Sequence, residues 1–462
     1  MSNRFIHFIG IGGIGISGLA KIYLEQGRKI SGSDLVTSDI TQDLEKRGAK
    51  IKIGEHKKEN LAKDADRVIY NLAIAEDNPE LKEARRCGVL CQTYPQALGE
   101  LTKKYFTIAI AGTHGKTTTT GMIALMLLQN GFDPTVIIGS KLKELGNSNA
   151  RLGKSKYLII EADEYKRAFL NYHPDIAVIT NIEADHLDYY KDLEDVRGAF
   201  GQFIGLLPEN GVLIADNKII TSLRGGGNPP TKQSHKTAKV CHQKLFSSMR
   251  LPRRPLWGGL LATTNAKEIA KILKVPGKHN VQNALAAFAV GKVLGVKREK
   301  ILASLASYGG AWRRFEIKYD KRVTVIDDYG HHPTEISATL AACREKYPNR
   351  RIWCIFQPHQ IARTEKLFAG FTKSFGDADK IIITKIFGVA GRDSVNQQAL
   401  ILPSQRIVES LKKQKVNAVF LETFDEITDY LSRETQKGDV ILVMGAGDIN
   451  TLTPLLIKKL KN

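Results

Sequence analysis

The sequence predicts an α/β protein of three domains, each a mostly parallel sheet covered by helices. Three observations carry this expectation. The chain has 462 residues and is 42% hydrophobic, enough for about three separate cores. Short runs that are apolar on both faces alternate with longer amphipathic stretches, the rhythm of βαβ units. Two glycine-rich loops each follow such a run and precede a helical stretch.

The first block opens with the strand Phe5 to Ile9, a glycine loop, a helix from Leu19 to Gln26, and a strand from Lys29 that ends at Asp34. Further units end near Val68-Ile69-Tyr70 and Val89-Leu90. The second block starts with the buried strand Tyr105 to Ile110, a second glycine loop and the helix Thr117 to Gln129. Its continuous apolar strands recur at Tyr157 to Ile160, Ile176 to Thr180 and Val212 to Ala215. The third block follows the helix Glu299 to Tyr308 and the turn Gly309-Gly310. Strands are expected there at Val323 to Ile326, Arg351 to Phe356, Lys380 to Thr384, Ala418 to Leu421 and Val440 to Met444, with helices between them.

The formal net charge is +20, which favours anionic partners but is mostly a solvated basic surface. One stretch, residues 217–267, holds no Asp or Glu while Lys218, Arg224, Lys232, Lys236, Lys239, Lys244, Arg250, Arg253 and Arg254 accumulate. Its few aromatics argue against a nucleic-acid groove, and no nucleic-acid partner is expected. Five cysteines, Cys87, Cys91, Cys241, Cys343 and Cys354, form no CxxC pair, which argues against a disulfide scaffold or structural zinc. No apolar run reaches the roughly 18–20 residues of a spanning helix, and glycines interrupt the N-terminal apolar stretch. A soluble, cytoplasmic chain without membrane insertion is expected.

Chemistry concentrates at strand ends. The run Ala111-Gly112-Thr113-His114-Gly115-Lys116-Thr117-Thr118 lies between a strand and a helix, the place of a phosphate loop. Backbone N–H groups and the helix start would face phosphate oxygens, Lys116 would reach the β/γ-phosphates, and Thr117 would hold Mg²⁺. ATP is therefore the expected nucleotide. The N-terminal loop carries Gly10, Gly12, Gly13 and Gly15, with Asp34 about twenty residues on, a fingerprint for a diphosphate. That diphosphate could belong to NAD or to a UDP-sugar, because loop physics does not distinguish them. Glu161-Ala-Asp163-Glu164 and Asn181-Ile-Glu183-Ala-Asp185-His186 each follow an apolar strand. At such positions they can complete a magnesium shell opened by Thr117. Polar clusters also occur at Gly277 to Asn283, at Arg313-Arg314-Phe-Glu316, at Asp327 to Pro333 and at Phe356 to Thr364. Three histidines at adjoining strand ends of the third block favour a site.

Taken together, GIGGIG, AGTHGKTTTT, EADE, NIEADHLDYY, GKHNVQNALAA, WRRFE, DDYGHHPTEI, FQPH and VMGAGDI resemble the Mur ligases of peptidoglycan synthesis over nearly the whole chain. The resemblance implies a Rossmann-like domain for UDP-N-acetylmuramate at 1–104 and a central ATP-binding domain at 105–311, with a parallel or mixed sheet of the P-loop ATPase type. It further implies a Rossmann-like, doubly wound domain that recruits the amino acid at 312–462. Gly10, Gly12, Gly13, Gly15 and Asp34 would serve the UDP-sugar. The stretch Gly112 to Thr118, with Asn280, Asn283, Arg314 and Asp328, would hold ATP, and Thr117, Glu161 and His186 the metal. Tyr329, His331, His359 and Arg363 would meet the amino acid. The catalytic set is then Lys116, His186, His331, His359 and Arg363.

Within the family, the Tyr329-Gly330 pair and the absence of a basic insertion before Pro174 are similar to the members that take L-alanine. Tyr165 is similar instead to those that take a tripeptide in murein recycling. No lysine lies between Asp192 and Pro208, where ligases of later steps carry a carbamylated one. Gln360 stands where many members have arginine, leaving Arg363 as the cation there. A nicotinamide-dependent oxidoreductase would explain the first loop but leave the second idle. The chain is expected as a monomer or homodimer.

Overall fold

The structure, a computed structural model, describes residues 4–225, 260–388 and 396–461. The centre of the basic stretch, residues 226–259, with Cys241, lies outside the described residues. Three α/β sheets follow one another along the chain, as the alternation of apolar runs predicts.

The first sheet holds β1 (Phe5–Ile9), β2 (Lys29–Asp34), β3 (Lys50–Ile53), β4 (Ala65–Tyr70) and β5 (Leu90–Thr93) in the order β3-β2-β1-β4-β5. All its pairings are parallel. The order reverses beside β1, which puts the glycine loop after β1 at the crevice where open sheets bind ligands.

The second sheet holds β6 (Phe106–Ala111), β7 (Thr135–Leu142), β8 (Ser148–Arg151), β9 (Tyr157–Glu161), β10 (Ile176–Ile179) and β11 (Val212–Ala215). Its order is β11-β10-β6-β9-β7-β8, with β8 antiparallel to β7. The central strand β6 lies between β9 and β10, so the loops that leave these three strands open on one edge. The phosphate loop and both acidic clusters are those loops.

The third sheet holds β12 (Glu316–Asp320), β13 (Thr324–Asp328), β14 (Ile352–Phe356), β15 (Lys380–Ile383), β16 (Ala418–Phe420) and β17 (Val440–Met444). Its order is β12-β13-β17-β14-β15-β16, parallel but for β12. Leu340, Phe371 and Phe375 cover one face; Trp353, Leu431 and Leu456 fill the other. Both faces are dry, which is why its strands read as unbroken apolar runs. The Trp353 indole N–H reaches the Asp439 carboxylate at 2.9 Å, which satisfies the one polar atom that this burial would strand.

By compactness the chain forms two units. The first comprises Met1–Ala184, Asp192–Ile272 and Asn283–Ser307, and carries the first two sheets. The second comprises Asp185–Lys191, Leu273–Gln282 and Tyr308–Asn462, and carries the third.

Two departures from the sequence expectation have physical causes. The helix after the first glycine loop starts at Ile14, not Leu19. Glycine is a poor helix former, yet a Cβ at Gly18 would stand 3.0 Å from the Ile137 side chain, so close packing overrides propensity. Strands β3, β7, β8 and β12 were not foreseen. The edge strands β3 and β12 mix lysine or acidic residues with apolar ones and are largely exposed, and the hairpin strands β7 and β8 carry glycine, serine or asparagine where an unbroken apolar run would have marked them.

Candidate functional site

The first glycine loop is held by its own sheet. The N–H groups of Gly10 and Ile11 donate to the Ser33 carbonyl at 2.9 and 3.1 Å. The N–H of Gly12 donates to Asp34 Oδ2 at 2.8 Å. Asp34, expected on a ribose or base, thus spends one carboxylate oxygen on the loop itself. Beneath it lies a buried network absent from the expected site. Glu80 accepts from the Ser33 hydroxyl at 2.9 Å and meets His7 at 2.8 Å and His56 at 2.6 Å. Its sequence signal is the helix start Asn78-Pro79-Glu80: the Asn78 side chain caps the Glu80 and Leu81 N–H groups, the local chemistry of a helix N-terminus.

The second loop closes directly onto the helix Lys116–Gln129. Gly115 has φ +83, and a Cβ there would stand 2.4 Å from Asn283 Oδ1. Both facts demand glycine, and the second places the Asn283 amide against the loop. The chain after β10 braces the other side. Asn181 Oδ1 accepts from the His114 N–H at 2.8 Å, Asn181 Nδ2 donates to the His114 carbonyl at 3.0 Å, and the Glu183 N–H donates to Thr113 Oγ1 at 2.9 Å.

Lys116 Nζ donates to the carbonyls of Gly112 at 2.6 Å and Thr113 at 3.3 Å, and to Glu164 Oε2 at 2.8 Å. Burial by itself would lower the Lys116 ammonium, but Glu164 and Asp163 hold it above its usual value. A charged lysine at the mouth of a loop rich in N–H groups suits a polyphosphate. The Thr117 hydroxyl donates to Glu161 Oε2 at 3.1 Å, while Glu161 Oε1 accepts the Gly139 N–H at 2.6 Å. These are hard oxygen donors, which fit Mg²⁺.

In the second unit the expected amino-acid residues do gather. The rings of Tyr329 and His331 lie 5.6 Å apart, and those of His331 and His359 lie 5.9 Å apart. Arg363 Nη1 stands 3.3 Å from His359 Nδ1. Burial drives the His331 imidazole down to about 3, with Arg363 adding to that shift and Glu335 opposing it. Held neutral so firmly, His331 suits orienting an amine better than deprotonating it. Glu335, not singled out in the sequence, accepts the N–H groups of His331 and His332 at 2.9 and 3.2 Å. Its signal is the capping box His332-Pro-Thr-Glu335.

Asp185, expected as one of an acidic cluster beside the metal, forms an ion pair with Arg363 at 3.3 Å, and both side chains are 8% exposed. Burial alone would raise the Asp185 carboxyl, but the charges of His186 and Arg363 hold it well below the carboxylate range. His186 neighbours it in this unit, its N–H donating to Asp185 Oδ1 at 2.7 Å.

Other expected ATP residues are engaged locally. Asp328 accepts from the Phe315 and Gly330 N–H groups, each at 2.8 Å, and burial raises its carboxyl despite Arg314. The Arg314 guanidinium stacks 5.1 Å from the Tyr329 ring centroid. Asn280 Nδ2 donates to the Pro276 carbonyl at 2.6 Å. Arg313, its neighbour in sequence to Arg314, is structural: its Nε donates to Asp327 at 3.1 Å and it also bonds the Gly445 and Gly447 carbonyls.

Comparison with known proteins matches this arrangement along the chain. Residues 5–106 match the Mur ligase family catalytic domain, residues 110–291 the Mur ligase middle domain, and residues 313–447 the Mur ligase glutamate ligase domain. The chain is 43% identical over 477 aligned positions to a UDP-N-acetylmuramate–L-alanine ligase of Acetivibrio thermocellus, covering 99% of this chain and 96% of that one. It is 44% identical to the protein of the same name from Clostridium botulinum, covering 97% and 96%. Among solved structures, a UDP-N-acetylmuramate–alanine ligase from Thermotoga maritima superposes with a TM-score of 0.77 at 28% identity, over 99% of each chain. A murein peptide ligase from Psychrobacter arcticus shares the fold at a TM-score of 0.67 and 23% identity, again over 99% of each. By its phosphate loop, its clustered histidines and this end-to-end similarity, the chain belongs to the Mur ligase family.

Proposed function

We propose that the chain joins L-alanine to the carboxylate of UDP-N-acetylmuramate, with ATP converted to ADP and phosphate. The observation that carries this reading is the cluster in the second unit, where a buried guanidinium, Arg363, stands beside neutral imidazole at His331. Such a pair suits a small free amino acid, whose carboxylate needs one cation and whose amine, once deprotonated for attack, can be oriented by a neutral imidazole. The similarity to L-alanine ligases along 97–99% of the chain supports the same substrate.

A carboxylate is a poor acylating agent, so the reaction runs in two steps. A carboxylate oxygen of the sugar nucleotide attacks the γ-phosphorus of ATP, ADP leaves, and an acyl phosphate results. The amine of alanine then attacks the acyl carbon, and phosphate leaves with the C–O electron pair. The phosphate loop and Lys116 stabilise charge on the transferred phosphoryl group. Thr117 and Glu161 would hold Mg²⁺, with His186 assigned as a further ligand; the ion would neutralise phosphate charge. Gly112 to Thr118, Asn280, Asn283, Arg314 and Asp328 are the residues assigned to ATP. Gly10, Gly12, Gly13, Gly15 and Asp34 would carry the sugar diphosphate. Tyr329, His331, His359 and Arg363 would receive alanine.

The domain limits we assign are 1–104, 105–311 and 312–462. A cytoplasmic location fits the nucleotide substrates and the thiols of Cys87, Cys91, Cys343 and Cys354, which form no disulfide. No helix among the described residues is long and apolar enough to cross a membrane. The test is ADP formation with UDP-N-acetylmuramate and either L-alanine or L-alanyl-γ-D-glutamyl-meso-diaminopimelate. Higher catalytic efficiency with L-alanine is expected; a preference for the tripeptide would reverse the assignment.

A further inference from the structure

The Asp185–Arg363 pair has no evident structural task. Both side chains are 8% exposed and stand 3.3 Å apart. Buried pairs of this kind add little stability over apolar packing, because desolvation offsets their attraction. This pair is also set among functional groups. Arg363 Nη1 faces His359, and the Asp185 carboxylate acts on His331 and His332 as well as Arg363. The segment that bears Asp185 is fastened to this unit: Lys366 Nζ donates to the Leu187 carbonyl at 2.6 Å.

We infer that Asp185 and Arg363 form a two-point clamp for the zwitterion of a free α-amino acid, Arg363 taking the carboxylate and Asp185 the ammonium. This rests on the ligase reading above and names the partner of its amine subsite. An α-amino acid carries opposite charges on groups bonded to one carbon, so its charge separation matches a contact ion pair laid antiparallel. The site stays neutral before and after binding, and one ion pair is exchanged for two instead of a net charge being buried. Arg363 alone would bind any small carboxylate. Asp185 adds the discrimination: a hydroxy acid leaves it without a cation, and a peptide offers an amide where Arg363 needs a carboxylate.

The experiment starts with the wild-type chain. ADP formation that requires L-alanine establishes the substrate; if alanine gives none, the ligase reading fails and not the clamp alone. Competition against alanine is then measured for L-lactate, with hydroxyl for ammonium, and for L-alaninamide, with amide for carboxylate. Each is expected to bind at least about 30-fold more weakly than alanine. In Asp185→Asn the alanine KM should rise by about 30-fold or more while lactate inhibition is kept. The alanine-to-lactate ratio should then fall toward one. The Michaelis constants for ATP and sugar nucleotide, and the Mg²⁺ half-saturation, should stay within about twofold. Arg363→Gln should lose lactate inhibition as well. Wild-type lactate binding as tight as alanine overturns the clamp, and this result needs no folded variant. An unchanged ratio in Asp185→Asn overturns it too. So does a shift confined to Mg²⁺ dependence, which would mean that Asp185 serves His186 instead.

Discussion

Lys116 does two separable things, and a pair of substitutions pulls them apart. Its side chain is 17% exposed and its ammonium is bonded at 2.8 Å to Glu164, whose side chain is 2% exposed. Replacing Lys116 by methionine keeps the stem and deletes the charge, which takes the ammonium away from Glu164 in a dry site. Removing one partner of a buried pair costs about 3–5 kcal/mol, a drop of roughly 10 °C in the melting of a body this size. The two carbonyls that Lys116 also holds, Gly112 and Thr113, lose a donor in the same stroke. Catalysis should fall further than stability does, by about a thousandfold or more, because the cation at the transferred phosphoryl group is gone.

The second substitution, Glu164→Gln, is added to Lys116→Met. A neutral amide removes the buried charge that has lost its ammonium, so melting should recover in part while turnover stays at the Lys116→Met level. Differential scanning fluorimetry and a coupled ADP assay read the two quantities independently. Near-wild-type turnover in Lys116→Met would refute its role at phosphate. Failure of Glu164→Gln to restore any stability would refute the pairing argument.

Three further outcomes follow from other contacts. Gly115→Ala forces a Cβ to 2.4 Å from Asn283 Oδ1 at φ +83, so calorimetric affinity for an ATP analogue should fall at least about tenfold while UDP-N-acetylmuramate binding is unchanged. Asp34→Ala deletes the acceptor of the Gly12 N–H and should weaken UDP-N-acetylmuramate about tenfold; NAD should show no saturable binding to the wild type, and tight NAD binding would overturn the diphosphate assignment. His331 has its folded pKa at about 3, below its unfolded value, so the unfolded chain binds the extra proton in between. Its stability contribution is complete above about pH 6.5 and lost toward pH 3, about 2–3 kcal/mol of it by pH 4.5. Urea midpoints at pH 7.5 and 4.5 should therefore converge in His331→Asn relative to wild type.

Much of this site is legible in sequence because its determinants are local. A glycine at φ +83 between strand and helix, and a lysine immediately after it, are set by a few consecutive residues. The same holds for clusters that end apolar strands, since the parallel sheet sends β6, β9 and β10 to one edge. What escaped is non-local. Asp185 gains its meaning from Arg363, 178 positions on, and Glu80 from Ser33 and His7, 47 and 73 positions back. The local signals, a helix start at Asn78-Pro79-Glu80 and an acidic cluster at a strand end for Asp185, mark the positions but do not reveal these distant partners. Expected ligands can also brace their own loops, as the part-buried Asp34 and the buried Asp328 do by accepting nearby backbone N–H groups.

Backbone conformation points to the same residues independently of their chemistry. Among the described residues, nine that are not glycine adopt positive φ. Asp133, Asn147 and Lys415 lie in connecting turns, where such conformations are tolerated. The other six are Lys166 and Arg167 after the first acidic cluster, His186 in the second, Arg313 and Phe315 in the connection to β12, and Gln360 after β14. Each costs on the order of 1 kcal/mol, and none is a residue type that relieves the strain as glycine does. Strain in these loops persists only where the surroundings over-determine it. The means differ from place to place: Phe315 N–H is pinned by Asp328 at 2.8 Å, His186 N–H by Asp185 at 2.7 Å, and Gln360 N–H by the Phe387 carbonyl at 3.1 Å. At Gln360 the distortion starts the short helix Ile361–Lys366, which carries Arg363. At His186 it sets the course of the segment whose preceding residue pairs with that arginine. The strain therefore aims both halves of the Asp185–Arg363 pair, and relaxing either turn should misplace the amine subsite before it unfolds the sheet. Gln360→Gly is the direct probe: it relieves φ +67, so stability should hold or rise while the alanine KM increases severalfold through lost rigidity. An unchanged KM would show that the sheet alone positions Arg363.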